Sequence, residues 1–394
     1  VSRHPPAGLL GPALLAVALL AVGSPGRAAP LQPADDAEIV ETLPTLGAHA
    51  AEQRTLRRQL ARQPRETATA LALSRSLLAR ARADGDARLA GQALGALGAW
   101  DGKPAVPLEI RLQRATLHQH LHDFDAAAAE LETVLAGSPR HPQALLTLAT
   151  VRRVQGRYEA SDRACAALAD AGQPLYARAC LAENGALRGD ADGARRELEQ
   201  LLAAAPGQAD WAAWIRTTLG ELEQRAGRTD AAIAQLRAAL QAAPDPYTRI
   251  ALVDALIEAR RWPEARALLE EAGDGDALLL RRAIVARGLG APDADALRRS
   301  LSERYAQATL RPEAQAVHAR ERARFALEVE GDAVRAVALA RRNLQTQREA
   351  IDLVLLARAA RAAGDASAAA EAAALAAQLG LRDARIGPPN GRTT

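Results

Sequence analysis

The chain alternates short stretches in which leucine and alanine recur at helical spacing with breaks of one recurrent kind. Four breaks read Gly-Asp-Ala, at Gly85, Gly189, Gly331 and Gly364. Four more are variants: His122-Asp123-Phe124, Gly156-Arg157-Tyr158, Gly227-Arg228-Thr229 and Arg260-Arg261-Trp262. Their middle residues lie 33 to 38 positions apart, except for one interval of 71 that a worn copy near Gly290 fills. Such a period predicts paired helices stacked in tandem. The segment Thr45 to Gln63 reads as a leading helix, because Leu46, Leu56 and Leu60 fall on one side among arginines.

Other positions keep step with the break. Four residues beyond its middle residue stand Ala90, Ala127, Ala194, Ala232, Ala265, Ala336 and Ala369, with Ser161 the exception. Eight residues beyond stand Leu94, Leu131, Cys165, Leu198, Leu236 and Leu269. Prolines 139, 206 and 244 close three of the copies. The glycine ends one helix and allows a tight turn. The small residue lets two helices approach, and the leucine fills the groove beside it.

These residues give the chain its resemblance to the tetratricopeptide repeat family. The fullest copy runs from Ala213 to Pro246 and carries Leu219-Gly220, Gly227-Arg228, Ala232, Leu236, Ala239 and Pro244. The helix A aromatic of the family pattern is missing throughout, and leucine or cysteine replaces the helix B phenylalanine. The resemblance covers about residues 65–383. It implies an all-α, right-handed α-solenoid of stacked helix-turn-helix repeats, each burying its apolar faces against its neighbours. The domain reading is a leader at 1–28, a segment with the cap helix at 29–64, the array at 65–383 and a flexible tail at 384–394.

Composition changes this picture little. Half the chain is apolar and 3% aromatic, and the net charge is +3. Lys103 is the single lysine among 50 basic residues. Acids and arginines alternate, as on solvated helix surfaces, so no basic stripe supports nucleic-acid binding. The amino terminus matters more. Arg3, an apolar run from Leu9 to Val22 and small residues up to Ala28 have the order of a secretory signal peptide. Export to a bacterial periplasm with cleavage near Ala28 is therefore expected, with no later membrane span.

Candidate chemistry is sparse. No phosphate loop, nucleophile elbow or metalloprotease motif occurs, so no enzyme activity and no cofactor are expected. His118, His120 and His122 lie beside Asp123, and His118 with His122 have the spacing for one helix face. They offer the alternative of an accessory subunit in a metal-dependent envelope enzyme. A purely structural assembly protein is another reading. Cys165 and Cys180 fall in adjoining helices, where a disulfide or two buried thiols both fit.

In the resembling family, helix A lines a concave groove, and the second position of each repeat points into it. Here that position holds Glu109, Gln143, Tyr176, Trp214, Tyr247, His318 and Ile351. The three successive aromatics form a candidate ladder for an extended segment of a protein partner, with packing against the preceding loops as the competing reading. Arg153 and Arg225 lie further along the same faces, placed to pair with acidic groups. The resemblance implies no chaperone-tail clamp, which uses lysine and asparagine at positions where this chain has neither. The expected function is a non-enzymatic interaction scaffold whose protein partner the sequence does not identify.

Overall fold

The computed structural model describes Asp35 and residues 48–387, apart from 85–86, 206, 271, 274 and 310–318. The expected leader and its cleavage site lie outside the described residues. Residues 48–387 belong to one compact unit beginning at Ala48. Among the described residues there is no strand, and no helix is long and apolar enough to cross a membrane.

Helix α1 (Ala48–Arg62) is the expected cap. It packs on α2 (Thr67–Asp84), with Leu56 and Leu60 against the first apolar cluster and Gln53 Nε2 donating to Ser76 Oγ at 3.1 Å. After it the chain runs in hairpins. These are α2 with α3 (Ala87–Gly95), α4 (Leu108–His120) with α5 (Phe124–Gly137), and α6 (Pro142–Val154) with α7 (Tyr158–Asp170). Next come α8 (Pro174–Leu187) with α9 (Ala191–Ala204), α10 (Ala209–Arg225) with α11 (Thr229–Ala242), and α12 (Pro246–Glu258) with α13 (Trp262–Glu270). Then α14 (Asp276–Leu289) pairs with α15 (Ala294–Thr309), filling the double interval. Finally α16 (Ala319–Arg324) continues through a π-helical turn, Phe325–Glu330, and pairs with α17 (Ala333–Asn343), and α18 (Ala350–Ala363) pairs with α19 (Ala366–Gln378).

The recurrent break is the turn between the two helices of a hairpin. Its first residue is left-handed in every described copy: Gly156, Gly189, Gly227, Gly290, Gly331 and Gly364, and also His122 (φ 60°) and Arg260 (φ 57°). An aspartate in the next place caps the second helix. Asp123, Asp190, Asp332 and Asp365 accept from the backbone N–H three residues on, whereas Arg157 and Arg228 make no side-chain cap. The small residue then sits at the helix crossing, and Ala127, Ala232, Ala265 and Ala336 are fully buried. Ser161 takes the same place by donating its hydroxyl to the Ala149 carbonyl at 2.8 Å.

First helices touch first helices of the next repeat, from α2–α4 through α12–α14 and again at α16–α18. The second helices make no comparable contacts with one another, so the first helices form the inner layer of the all-α solenoid and the second helices the outer one. Its core is a chain of apolar clusters, each shared by adjacent hairpins.

The array also folds back on itself. The backbone N–H groups of Arg348, Arg382 and Ala384 donate to the carbonyls of Val154, Leu187 and Arg225, at 2.8, 2.9 and 2.9 Å. These carbonyls end three successive inner helices, α6, α8 and α10, whose last turns lack partners within the helix. On either side Gln347 Nε2 lies 2.8 Å from His122 Nδ1, and Arg385 pairs with Glu258 at 3.2 Å. Leu381 and Ile386 are buried in the same cluster as Tyr158 and Leu187. The tail expected from residue 384 is therefore anchored as far as Ile386, because its amides and apolar side chains meet helix ends far away in the sequence. Residues 388–394 lie outside the described residues.

Candidate partner-binding face

The inner helices position the aromatic residues. Pro174 and Pro246 open α8 and α12 with φ preset for a helix, and Tyr176 and Tyr247 follow in the first turn. Tyr176 is 39% exposed and Tyr247 61%. Tyr176 stacks on half-buried Trp214 with ring centroids 5.5 Å apart and planes at 23°. The edge of Trp211 closes the cluster, 5.2 Å from Tyr176 and 5.4 Å from Trp214. Trp211 is buried and donates its indole N–H to the Leu201 carbonyl at 3.0 Å, which fixes the platform. Sequence reasoning missed Trp211. Its spacing of three from Trp214 on one helix was the signal that both share a face.

Tyr247 does not join the stack, since its hydroxyl donates to the Glu221 carboxylate. Glu221 is pushed up from the ordinary carboxylate range by burial, against the pull of Arg225. Its charge holds the Tyr247 phenol well above its ordinary value. The expected three-rung ladder is thus a stacked pair plus a separate polar rung. Ile351 is exposed at the start of α18, and His318 lies outside the described residues.

The two arginines sit in different settings. Arg153 Nη1 lies 2.5 Å from Glu183 Oε2 across the α6–α8 contact. Burial opposes its charge, but Glu183, then Glu349 and Glu221, outweigh burial and raise its pKa. Arg225 sits where the returning chain crosses α10. Its Nε and Nη2 are buried without a hydrogen-bond partner, and so is the Tyr158 hydroxyl. At Arg153 the chain's own Glu183 takes the place assigned to an acidic partner. Nothing local around Arg153 announces Glu349, which adds to its charge environment from a distant part of the chain.

The histidines do not form the expected face. Helix α4 ends at His120, and left-handed His122 stacks on Phe124 (5.6 Å, 22°) and meets Gln347, while His118 Nδ1 faces Asp123 Oδ2 at 3.3 Å. His118 and His122 are therefore not on one helical turn. Among the described residues no three His, Cys, Asp or Glu side chains gather to hold a metal ion. His120 is pushed down to about 4 by burial, then by the charges of Arg82 and His122. Cys165 and Cys180 are joined, with Cα atoms 5.6 Å apart, across the α7–α8 contact.

No family model matches the chain, and no curated protein matches it. Among solved structures it is similar to a tetratricopeptide repeat protein from Parabacteroides merdae, at 16% identity over 57% of this chain and 86% of that one, with a TM-score of 0.45. It is also similar to Pseudomonas aeruginosa pilF (16% identity, 53% and 95% covered, TM-score 0.37). A third neighbour is a human IFIT1 dimer with m7Gppp-AAAA (14% identity, 84% and 86% covered, TM-score 0.38). Tetratricopeptide repeat proteins are thus among its structural neighbours. The repeat assignment itself rests on the chain's own register, in which each described sequence break meets a left-handed turn.

Proposed function

We propose that the chain is a non-enzymatic interaction scaffold of the bacterial cell envelope, exported to the periplasm, that recognises a segment of a protein partner on its inner helix layer. The observation that carries this reading is the exposed stack of Tyr176 on Trp214, held from behind by Trp211. Rigid aromatic surface left uncovered on a solenoid's inner layer makes an anchor for a partner side chain at little entropic cost. The apolar run from Leu9 to Val22 supports export, and a disulfide between Cys165 and Cys180 is compatible with an oxidising compartment.

The test is crosslinked capture from native envelope extract, using the full chain beside a Tyr176→Ala/Trp214→Ala variant whose melting curve matches the parent. A partner captured by the parent and lost by the variant is the expected result. The same partner retained by both moves recognition to the outer helices or the ends of the array. Export is tested separately by fractionation, where a chain found uncleaved in the cytoplasm would refute it.

A further inference from the structure

A cleft of about 780 Å³ lies where the returning repeats face the middle ones, with walls from α10, α12, α14, α16, the π-turn and α18. That volume is within the usual range for small-molecule sites. Its apolar lining includes Trp262, Ile284, Leu327 and Leu355. The Trp262 ring packs so closely on Gly288 that a Cβ there would stand 2.7 Å from it. The π-turn supplies Leu327 and Glu328 to the wall, a helix irregularity common at functional sites.

The rim carries unbalanced charge. Seven arginines line the cleft, and the carboxylates paired with them, Asp254, Glu258, Glu328, Glu349, Asp352 and Asp383, number six. Four of the seven are accounted for: Arg320 pairs with Glu349 and Asp352, Arg385 with Glu258 and Asp383, and Arg324 and Arg358 share Glu328. Arg287 and Arg361 donate to the carbonyls of Val329, Arg385 and Ile386, which orients them without neutralising them. Arg260 has no carboxylate partner and sits at φ 57°, a backbone state that costs an arginine energy and that glycine fills in most other copies. These three arginines have no carboxylate partner, and the single excess positive charge around the cleft favours an anion over a cation. The tail borders the cleft through the Arg385–Glu258 pair and the Arg361 bonds. A compact ligand fits.

We propose that this cleft binds a small amphiphilic acid, a carboxylate head on an apolar body of fatty-acid or aryl-acid size. The site is separate from the aromatic stack and stands or falls without it.

Calorimetric titration of the full chain at low ionic strength tests the assignment with decanoate, 2-naphthoate, acetate and decylamine. One saturable site for decanoate or naphthoate is expected, the better of the two telling an aliphatic from an aromatic body. Acetate, lacking the body, and decylamine, reversing the charge, should bind at least about tenfold more weakly, and added salt should weaken decanoate. Arg260→Gln, which removes the exposed arginine without a carboxylate partner, should cost roughly tenfold in affinity with the melting curve unchanged. Ala362→Trp, which fills the cleft without altering charge, should abolish binding. No saturable binding of either acid overturns the proposal. So does equal binding of decylamine, or binding indifferent to both variants. Binding of an acidic decapeptide but not of either acid would reassign the cleft to a protein segment, again overturning it.

Discussion

At Gly220 a missing methyl group decides how close two helices come. A Cβ there would stand 2.6 Å from Leu236 Cγ and 3.3 Å from the Ala232 carbonyl. The Leu-Gly pair of the sequence motif thus marks the tightest point of the α10–α11 hairpin. Gly220→Ala should lower stability by about 1–3 kcal/mol, read from urea denaturation. A variant as stable as the parent would mean that Leu236 moves aside freely. His120 makes a second prediction. Its folded pKa of about 4 lies below the ordinary histidine value, so the unfolded chain binds the proton more readily. Its contribution is complete above the unfolded pKa of about 6.5 and is lost as pH falls toward 4. His120→Gln should flatten that part of the stability profile. An unchanged profile would show that His120 is not the titrating group. Residues of the repeat were legible because local sterics dictate them, even where His122 and Arg260 stand for glycine. The setting of Arg153 was not legible, because Glu183 and Glu349 come from other parts of the chain.

Helix pairs carry their own tests. Cys165 and Cys180 close a loop with a sequence separation of 15 between α7 and α8. In oxidised protein, replacing both with alanine should cost about 3 kcal/mol by the loop-entropy argument, while a melting temperature insensitive to reductant would show that the sulfurs do not bond in solution. The stretch 381–386 is a different kind of element, irregular yet docked. Its bonds answer the end carbonyls of α8 and α10, and Leu381 and Ile386 are buried. Removing residues 381–394 should cost on the order of 3 kcal/mol, measured by denaturation. Exchange of amides next to Gly189 and Gly227 should quicken. No change in either would show that the stretch merely rests on the surface. Helix order and hairpin register could be read from the chain because each hairpin's partners adjoin it. Docking of 381–386 could not, since a short arginine-rich stretch before prolines resembles a polar tail wherever its partner carbonyls are unseen.

Across the whole molecule, the fold-back alters the energetics expected of a linear array. In a one-dimensional solenoid each repeat feels only its neighbours. Here α18 and α19 share a cluster with Tyr158 and Leu187, several repeats away. Ending the chain at Asn343 should therefore raise hydrogen exchange in α6 and α8 as well as in α17. Protection lost from α17 alone would return the molecule to nearest-neighbour behaviour. The closure also has a price in time. The His122–Gln347 contact joins residues 225 apart in sequence. At about 5–20 residues per second the intervening chain takes on the order of tens of seconds to synthesise. Until it is complete, the ends of α6, α8 and α10 wait with bare carbonyls and an uncovered apolar edge. A nascent chain of this protein is thus vulnerable for longest in its middle, and the portion made last relieves it.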